Sequence, residues 1–79
     1  MSDEILCKLK KVMYKIKPHE DIKLEHTFKE DLEYDSLDMI TFYFDAEKAF
    51  HIEIPESDLL QYELTTVKQF IDYIQGKLP

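Results

Sequence analysis

Residues 36–50 carry large apolar side chains at helical spacing, but these side chains fall on two opposite sides of the predicted helix. The broader side, which must face the core, comprises Met39, Phe42, Tyr43, Ala46, Ala49 and Phe50. The narrower side, which we call the outer stripe, comprises Leu37, Ile40 and Phe44. A helix that is apolar on two sides is either enclosed by other elements or presents its second side to a partner. Because a chain of 79 residues buries only about 60 to 65 % of its unfolded surface, we favour a partner, unless the preceding loop covers the stripe.

The first helix is predicted to have Asp3 and Glu4 in its first turn and to end at Pro18, and the apolar side chains within residues 5–16 share one face. Cys7, the single cysteine, is expected to pack within this segment. Residues 17–35 have no sustained period and form a long loop. The apolar residues that can hold this loop on the core are Ile22, Leu24, Phe28 and Leu32.

Two more helices are predicted after residue 50. A short helix begins at Pro55 and extends to Leu60. The last helix begins at Thr66, which forms a capping box with Gln69, and stops at Gly76. Its inward face comprises Val67, Phe70, Ile71 and Ile74. The sequence therefore predicts an all-α fold with three main helices, one short helix and a single domain over residues 1–79.

Charge is distributed unevenly along the chain. The net charge is −7, with five Lys against two acids in residues 1–17 and fourteen acids against three Lys in residues 20–63. An acidic middle argues against nucleic acid and anionic membranes as partners and favours basic protein surfaces, although it also suits a face that is merely solvated. No apolar run has the length of a membrane span and the N-terminus lacks the pattern of a signal peptide, so we expect a cytoplasmic protein without stable membrane insertion.

Ser36 stands inside the acidic loop, at the predicted start of the double-sided helix. A helix N-terminus offers free backbone N–H groups and a positive dipole, which suit a phosphate group on or near this serine. The ordinary alternative is that Ser36 only caps the helix. No metal site is predicted, because the alternating acids at 31, 33 and 35 lack the glycine and final glutamate of a calcium loop and no histidine has metal-ligand spacing. Nothing indicates the base and oxyanion site that a catalytic serine needs.

Several short motifs occur in a characteristic order. They are Glu-Asp-Leu at 30–32, Asp-Ser-Leu-Asp at 35–38, Ile-Glu-Ile-Pro at 52–55, Thr-Thr-Val at 65–67 and Ile-Asp-Tyr-Ile at 71–74. In this order and spacing the chain resembles the acyl carrier proteins. The resemblance implies a four-helix bundle in which Ser36 bears a 4′-phosphopantetheine arm, added from coenzyme A by a phosphopantetheinyl transferase. The terminal thiol of the arm then holds acyl groups as thioesters, so the resemblance implies a monomeric carrier and not an enzyme.

The resemblance also assigns roles around Ser36. Asp35 would cap the helix and help the transferase to recognise it. The residues expected to meet acyl-transferring and acyl-modifying enzymes with basic docking surfaces are Leu37, Asp38, Ile40, Phe44 and Glu47. The expected pathway is fatty-acid or related lipid biosynthesis. A carrier of aminoacyl or polyketide units is an alternative, and an unmodified helical interaction module is another from a different class.

Three departures from the family pattern distinguish this chain. Glu33 replaces the usual glycine two residues before the aspartate, which bears on recognition by the transferase. Thr41 and Lys48 make the docking helix less acidic than is usual. Phe42 and Tyr43 are bulkier than the usual aliphatic residues, so we expect a smaller or differently shaped acyl pocket.

Overall fold

The computed structural model describes residues 2–18 and 21–78, and these fold into four helices. They are α1 (Ser2–Ile16), α2 (Ser36–Phe50), α3 (Glu56–Gln61) and α4 (Val67–Lys77). Over the described ranges the only β-type pairing is an isolated bridge between Thr27 and Thr66. The predicted all-α fold, with a long loop between its first two helices, is confirmed.

The core forms where α1 packs against α2 and α4. Leu9 and Met13 of α1 are fully buried, as are Phe42 of α2 and Phe70 of α4. The start of α4 is the predicted capping box, in which the Thr66 hydroxyl accepts from the backbone N–H of Gln69 at 3.2 Å. Since α3 has few contacts with the other helices, the bundle rests on three helices with α3 at its side.

The loop between α1 and α2 is held on the core by most of the predicted residues. Ile22, Phe28 and Leu32 are buried, and the Phe28 backbone N–H donates to the carbonyl of Thr65 at 3.1 Å. Leu24 is an exception, because its side chain is 41 % exposed. Its carbonyl instead accepts from the backbone N–H of Lys68, so this part of the loop is fixed by its main chain.

Two further expectations were wrong. Cys7 is exposed, because it lies on the opposite side of α1 from the buried residues Ile5 and Leu9. Gly76 does not stop α4, which continues to Lys77, and it does not adopt the left-handed conformation typical of a glycine cap. Across the described residues, no helix combines the length and the apolar character that crossing a membrane requires.

Candidate functional site

The start of α2 is capped by Asp35 and not by Ser36. The Asp35 backbone is extended, and its Oδ1 accepts from the backbone N–H of Asp38 at 2.8 Å. In return, Asp38 Oδ2 accepts from the backbone N–H of Asp35 at 3.3 Å. This reciprocal pair satisfies two of the free donors at the helix start. The hypothesis that Ser36 itself is the cap is therefore wrong.

Ser36 is the first residue of α2, and its side chain is exposed. Its hydroxyl hydrogen-bonds to no other residue in the part of the chain that the structure describes, since Asp35 performs the capping. The backbone N–H groups of Ser36 and Leu37 likewise donate to no described residue, so they remain available at the positive end of the helix dipole. An exposed, uncommitted hydroxyl beside free N–H donors fits a phosphodiester.

The segment that leads into Ser36 is anchored to the C-terminal end of α1. The Lys17 Nζ donates to the carbonyl of Glu33 at 2.8 Å, and the buried Tyr34 hydroxyl donates to the carbonyl of Met13 at 3.2 Å. Burial, followed by the nearby carboxylate of Asp38, raises the pKa of Tyr34 to about 12. These contacts fix the path of the backbone immediately before the serine.

Glu33 adopts a left-handed conformation with a φ of 58°. Glycine occupies such a conformation without the steric cost that a Cβ brings, which gives a physical reason for the glycine usual at this position. Lys17 holds the glutamate carbonyl in place, so the loop keeps this shape despite the larger residue. The sequence could not reveal the Lys17 or Met13 contacts, because the partners lie 16 and 21 residues apart.

The outer stripe is exposed along its whole length. Leu37, Ile40 and Phe44 are 74 %, 52 % and 60 % exposed, respectively, so the long loop does not cover them. Beside them, Glu47 is half-buried, and its Oε2 accepts from the backbone N–H of Ile54 at 2.7 Å. Asp38 is also half-buried and belongs to the capping box. The stripe therefore offers an apolar surface edged by two carboxylates that are each held by one internal hydrogen bond.

A groove of about 190 Å³ runs between α2 and α3, directly beside the stripe. Its apolar walls come from both helices and the connection between them, and Glu47 and Glu56 carry its negative charge. The residues that line it are Ile40, Tyr43, Phe44, Glu47, Ile54, Glu56 and Leu59. An apolar side chain with a neighbouring cation on a partner surface suits this groove.

Asp31, one of the acids upstream of Ser36, is engaged in the loop's own structure. Asp31 Oδ2 accepts from the Thr27 backbone N–H at 2.8 Å, and the Thr27 hydroxyl accepts from the backbone N–H of Asp31 at 3.1 Å. Among the residues at 2–18 and 21–78, no three or more His, Cys, Asp or Glu side chains are grouped so that they could hold a metal ion.

Comparison with known proteins gives two findings. A family model described as a phosphopantetheine attachment site matches residues 3–74. An acyl carrier protein from Rubrobacter xylanophilus is 39 % identical over 54 residues, which cover 68 % of this chain and 64 % of that protein. The matched region thus spans just under two thirds of the relative's length.

Proposed function

The chain belongs to the phosphopantetheine-attachment family of non-catalytic carrier domains, and we propose that Ser36 is the residue that bears its 4′-phosphopantetheine. One observation carries this assignment. Ser36 is exposed at the first position of a 15-residue helix, and its hydroxyl is left free because Asp35 caps that helix. When bound, the arm supplies a terminal thiol that holds acyl groups as thioesters.

The residues around Ser36 prepare it for this modification. In the transfer from coenzyme A, the Ser36 oxygen forms a new bond to phosphorus, the nucleotide half of coenzyme A leaves, and the hydroxyl proton passes to a base of the transferase. The positive end of α2 then stabilises the phosphodiester charge. Asp35 holds the helix start, and Tyr34, bound to Met13, fixes the chain that precedes it.

The outer stripe and its neighbouring groove form the proposed docking surface for partner enzymes. Leu37, Ile40 and Phe44 provide the apolar centre of the contact, while Asp38 and Glu47 attract basic side chains. The partners are a phosphopantetheinyl transferase and enzymes that transfer or modify acyl groups. The single core shared by α1, α2 and α4 supports one carrier domain.

We assign the carrier to fatty-acid or related lipid biosynthesis, with aminoacyl or polyketide units as the alternative cargo. The similarity to an acyl carrier protein supports acyl cargo. Attachment at Ser36 is common to all of these pathways, because the arm and the helix start are chemically the same for every cargo.

Intact mass spectrometry tests the attachment directly. The protein is incubated with coenzyme A, magnesium and a broad-specificity phosphopantetheinyl transferase. We expect wild type to gain one phosphopantetheinyl group, and Ser36→Ala to gain none. Ser57→Ala is the matched control, because Ser57 is also exposed near the start of a helix, and it should be modified like wild type.

Two results would contradict the proposal. The first is an equal mass gain on Ser36→Ala, which would place the arm elsewhere. The second is no gain on wild type that is folded by circular dichroism. The second result would favour an unmodified interaction module, for which the exposed outer stripe is the supporting observation.

A further inference from the structure

Three phenylalanine rings fill the centre of the bundle. Phe28 from the loop, Phe42 from α2 and Phe70 from α4 are all fully buried. The Phe42 ring centroid lies 5.0 Å from that of Phe28 and 4.7 Å from that of Phe70. Rings at these separations touch one another, so a methylene chain cannot lie between them unless they move apart.

A groove of about 400 Å³ lies between the loop, α2 and the segment around α3, and it borders this ring cluster at Phe28, which is one of its lining residues. Its floor is apolar and includes Met39 and Leu59, whereas its rim carries the charged side chains of Lys29, Glu30 and Glu63. Met39 follows Ser36 by three residues, a rise of about 4.5 Å along α2. The groove therefore opens close to the start of the helix, within reach of an arm on Ser36.

Tyr43 lines both this groove and the smaller one beside the outer stripe. Its ring stacks on Phe70 at 6.1 Å with an interplanar angle of 25°, which fixes its position. Its hydroxyl hydrogen-bonds to no other residue in the described ranges, in contrast to Tyr34, bound to Met13, and Tyr73, which donates to Asp58 at 2.7 Å. Partial burial raises the pKa of Tyr43, so the phenol keeps its proton and remains a donor.

Resting on attachment at Ser36, we propose that this carrier holds short acyl groups with an oxygen substituent in the Met39–Tyr43 groove, and not long saturated chains within the bundle. The Tyr43 hydroxyl donates to the substituent oxygen. The apolar floor receives the few carbons of the chain, and the charged rim tolerates the polar group. A long saturated chain in this open groove leaves methylenes in water, which is unfavourable, and the ring cluster denies it the interior.

Three thioesters test this proposal: 3-hydroxybutyryl, butyryl and octanoyl groups are loaded onto Ser36 from their coenzyme A derivatives by the same transferase. We expect the hydroxybutyryl group to shift the backbone amide NMR signals of Met39 and Tyr43 more than butyryl does. We also expect its thioester to hydrolyse about twofold to tenfold more slowly, the protection that one net hydrogen bond gives. Octanoyl should leave the signals of Phe42 and Phe70 in place.

Tyr43→Phe removes only the hydroxyl and keeps the stacked ring, so the variant should fold. It should abolish the difference in hydrolysis between hydroxybutyryl and butyryl. Tyr14→Phe is the matched control, because Tyr14 is an exposed tyrosine on α1, and this variant should keep the difference.

Two outcomes would overturn the cargo proposal alone. They are large octanoyl-induced shifts at Phe42 and Phe70, and a difference in hydrolysis that persists in Tyr43→Phe. A wild-type protein that accepts no group at all would instead overturn attachment, and the cargo proposal with it.

Discussion

The two apolar sides of α2 are made of similar residues but have opposite environments. Phe42 on the inner side contacts the rings of Phe28 and Phe70 and is fully buried. Phe44, two residues later, lies on the outer stripe and is mostly exposed. The inner side is explained by folding, because its apolar area is removed from water within the chain. The outer stripe gains nothing comparable in the free protein, so folding does not explain its apolar character, whereas the proposed docking of partner enzymes does.

If the proposed docking surface is right, α2 contributes both to the stability of the fold and to the binding of partners. The start of α2, at Asp35 and Ser36, is common to both sides of the helix. The capping box orders the first turn, and from this turn Leu37 points outward while Met39 points into the core. Substitutions on the two sides should therefore separate the free energy of unfolding from the affinity for partners. Four measurements examine this separation, beginning with the largest expected effect.

Phe42→Ala should lower the free energy of unfolding by about 3 to 5 kcal/mol, because it removes a fully buried ring from the centre of the aromatic cluster. Urea denaturation followed by circular dichroism measures the change. Phe42→Leu fills more of the space and should cost less, so it provides a folded variant if the alanine protein is too unstable. A loss below about 1 kcal/mol for Phe42→Ala would show that the inner side is not the principal source of stability.

Alkaline pH should weaken the contact between the loop and the inner side through Tyr34. Its pKa in the folded protein is raised to about 12 from an ordinary value of 10.0, so the folded state retains this proton while the unfolded state loses it. The resulting stabilisation is fully present below pH 10 and is lost as the pH rises toward 12. It amounts to roughly 2 to 3 kcal/mol for such a shift.

Urea denaturation at several values between pH 9 and pH 12 follows this loss. Tyr34→Phe lacks the titrating group, so its stability should decline less steeply over the same interval. Tyr14→Phe, which alters an exposed side chain, should follow wild type. Equal slopes for wild type and Tyr34→Phe would contradict the role given to the buried phenol.

Asp35→Ala should lower the free energy of unfolding by about 0.5 to 2 kcal/mol, the usual cost of losing an N-cap. Ser36→Ala should change it little, because the Ser36 hydroxyl takes no part in the capping box. Thermal denaturation of both variants compares the two positions. A larger loss for Ser36→Ala than for Asp35→Ala would reverse the assignment of the cap.

Local features of this fold could be predicted from the sequence. Apolar spacing located α2, and the pair Thr66 and Gln69 located the start of α4, because periodicity and capping involve residues only three or four positions apart. The same spacing separated the outer stripe from the inner side. Whether the loop covers that stripe depends on tertiary packing, which apolar spacing does not show.

Features that depend on distant contacts could not be predicted. Nothing local shows that Lys17 meets the carbonyl of Glu33, or that Glu33 is left-handed. Leu24 looked like a core residue, but the backbone hydrogen bond to Lys68 fixes that part of the loop and leaves the side chain outside. In the candidate site, the motif located Ser36 and the resemblance assigned the cap to Asp35, while the hydrogen-bond geometry was needed to show that Ser36 takes no part in the capping.

Phe44→Ala should have the smallest effect on stability and a clear effect on docking. Since the side chain is 60 % exposed, the free energy of unfolding should change by no more than about 0.5 kcal/mol. Modification by the transferase should slow, with kcat/KM falling by about tenfold if the ring is a central contact. Tyr14→Ala is a closely matched control, because Tyr14 is also a 60 % exposed aromatic residue but lies on α1. Equal losses of kcat/KM in both variants would show that any exposed aromatic side chain promotes the encounter with the transferase. A loss confined to Phe44→Ala would place docking on the outer stripe.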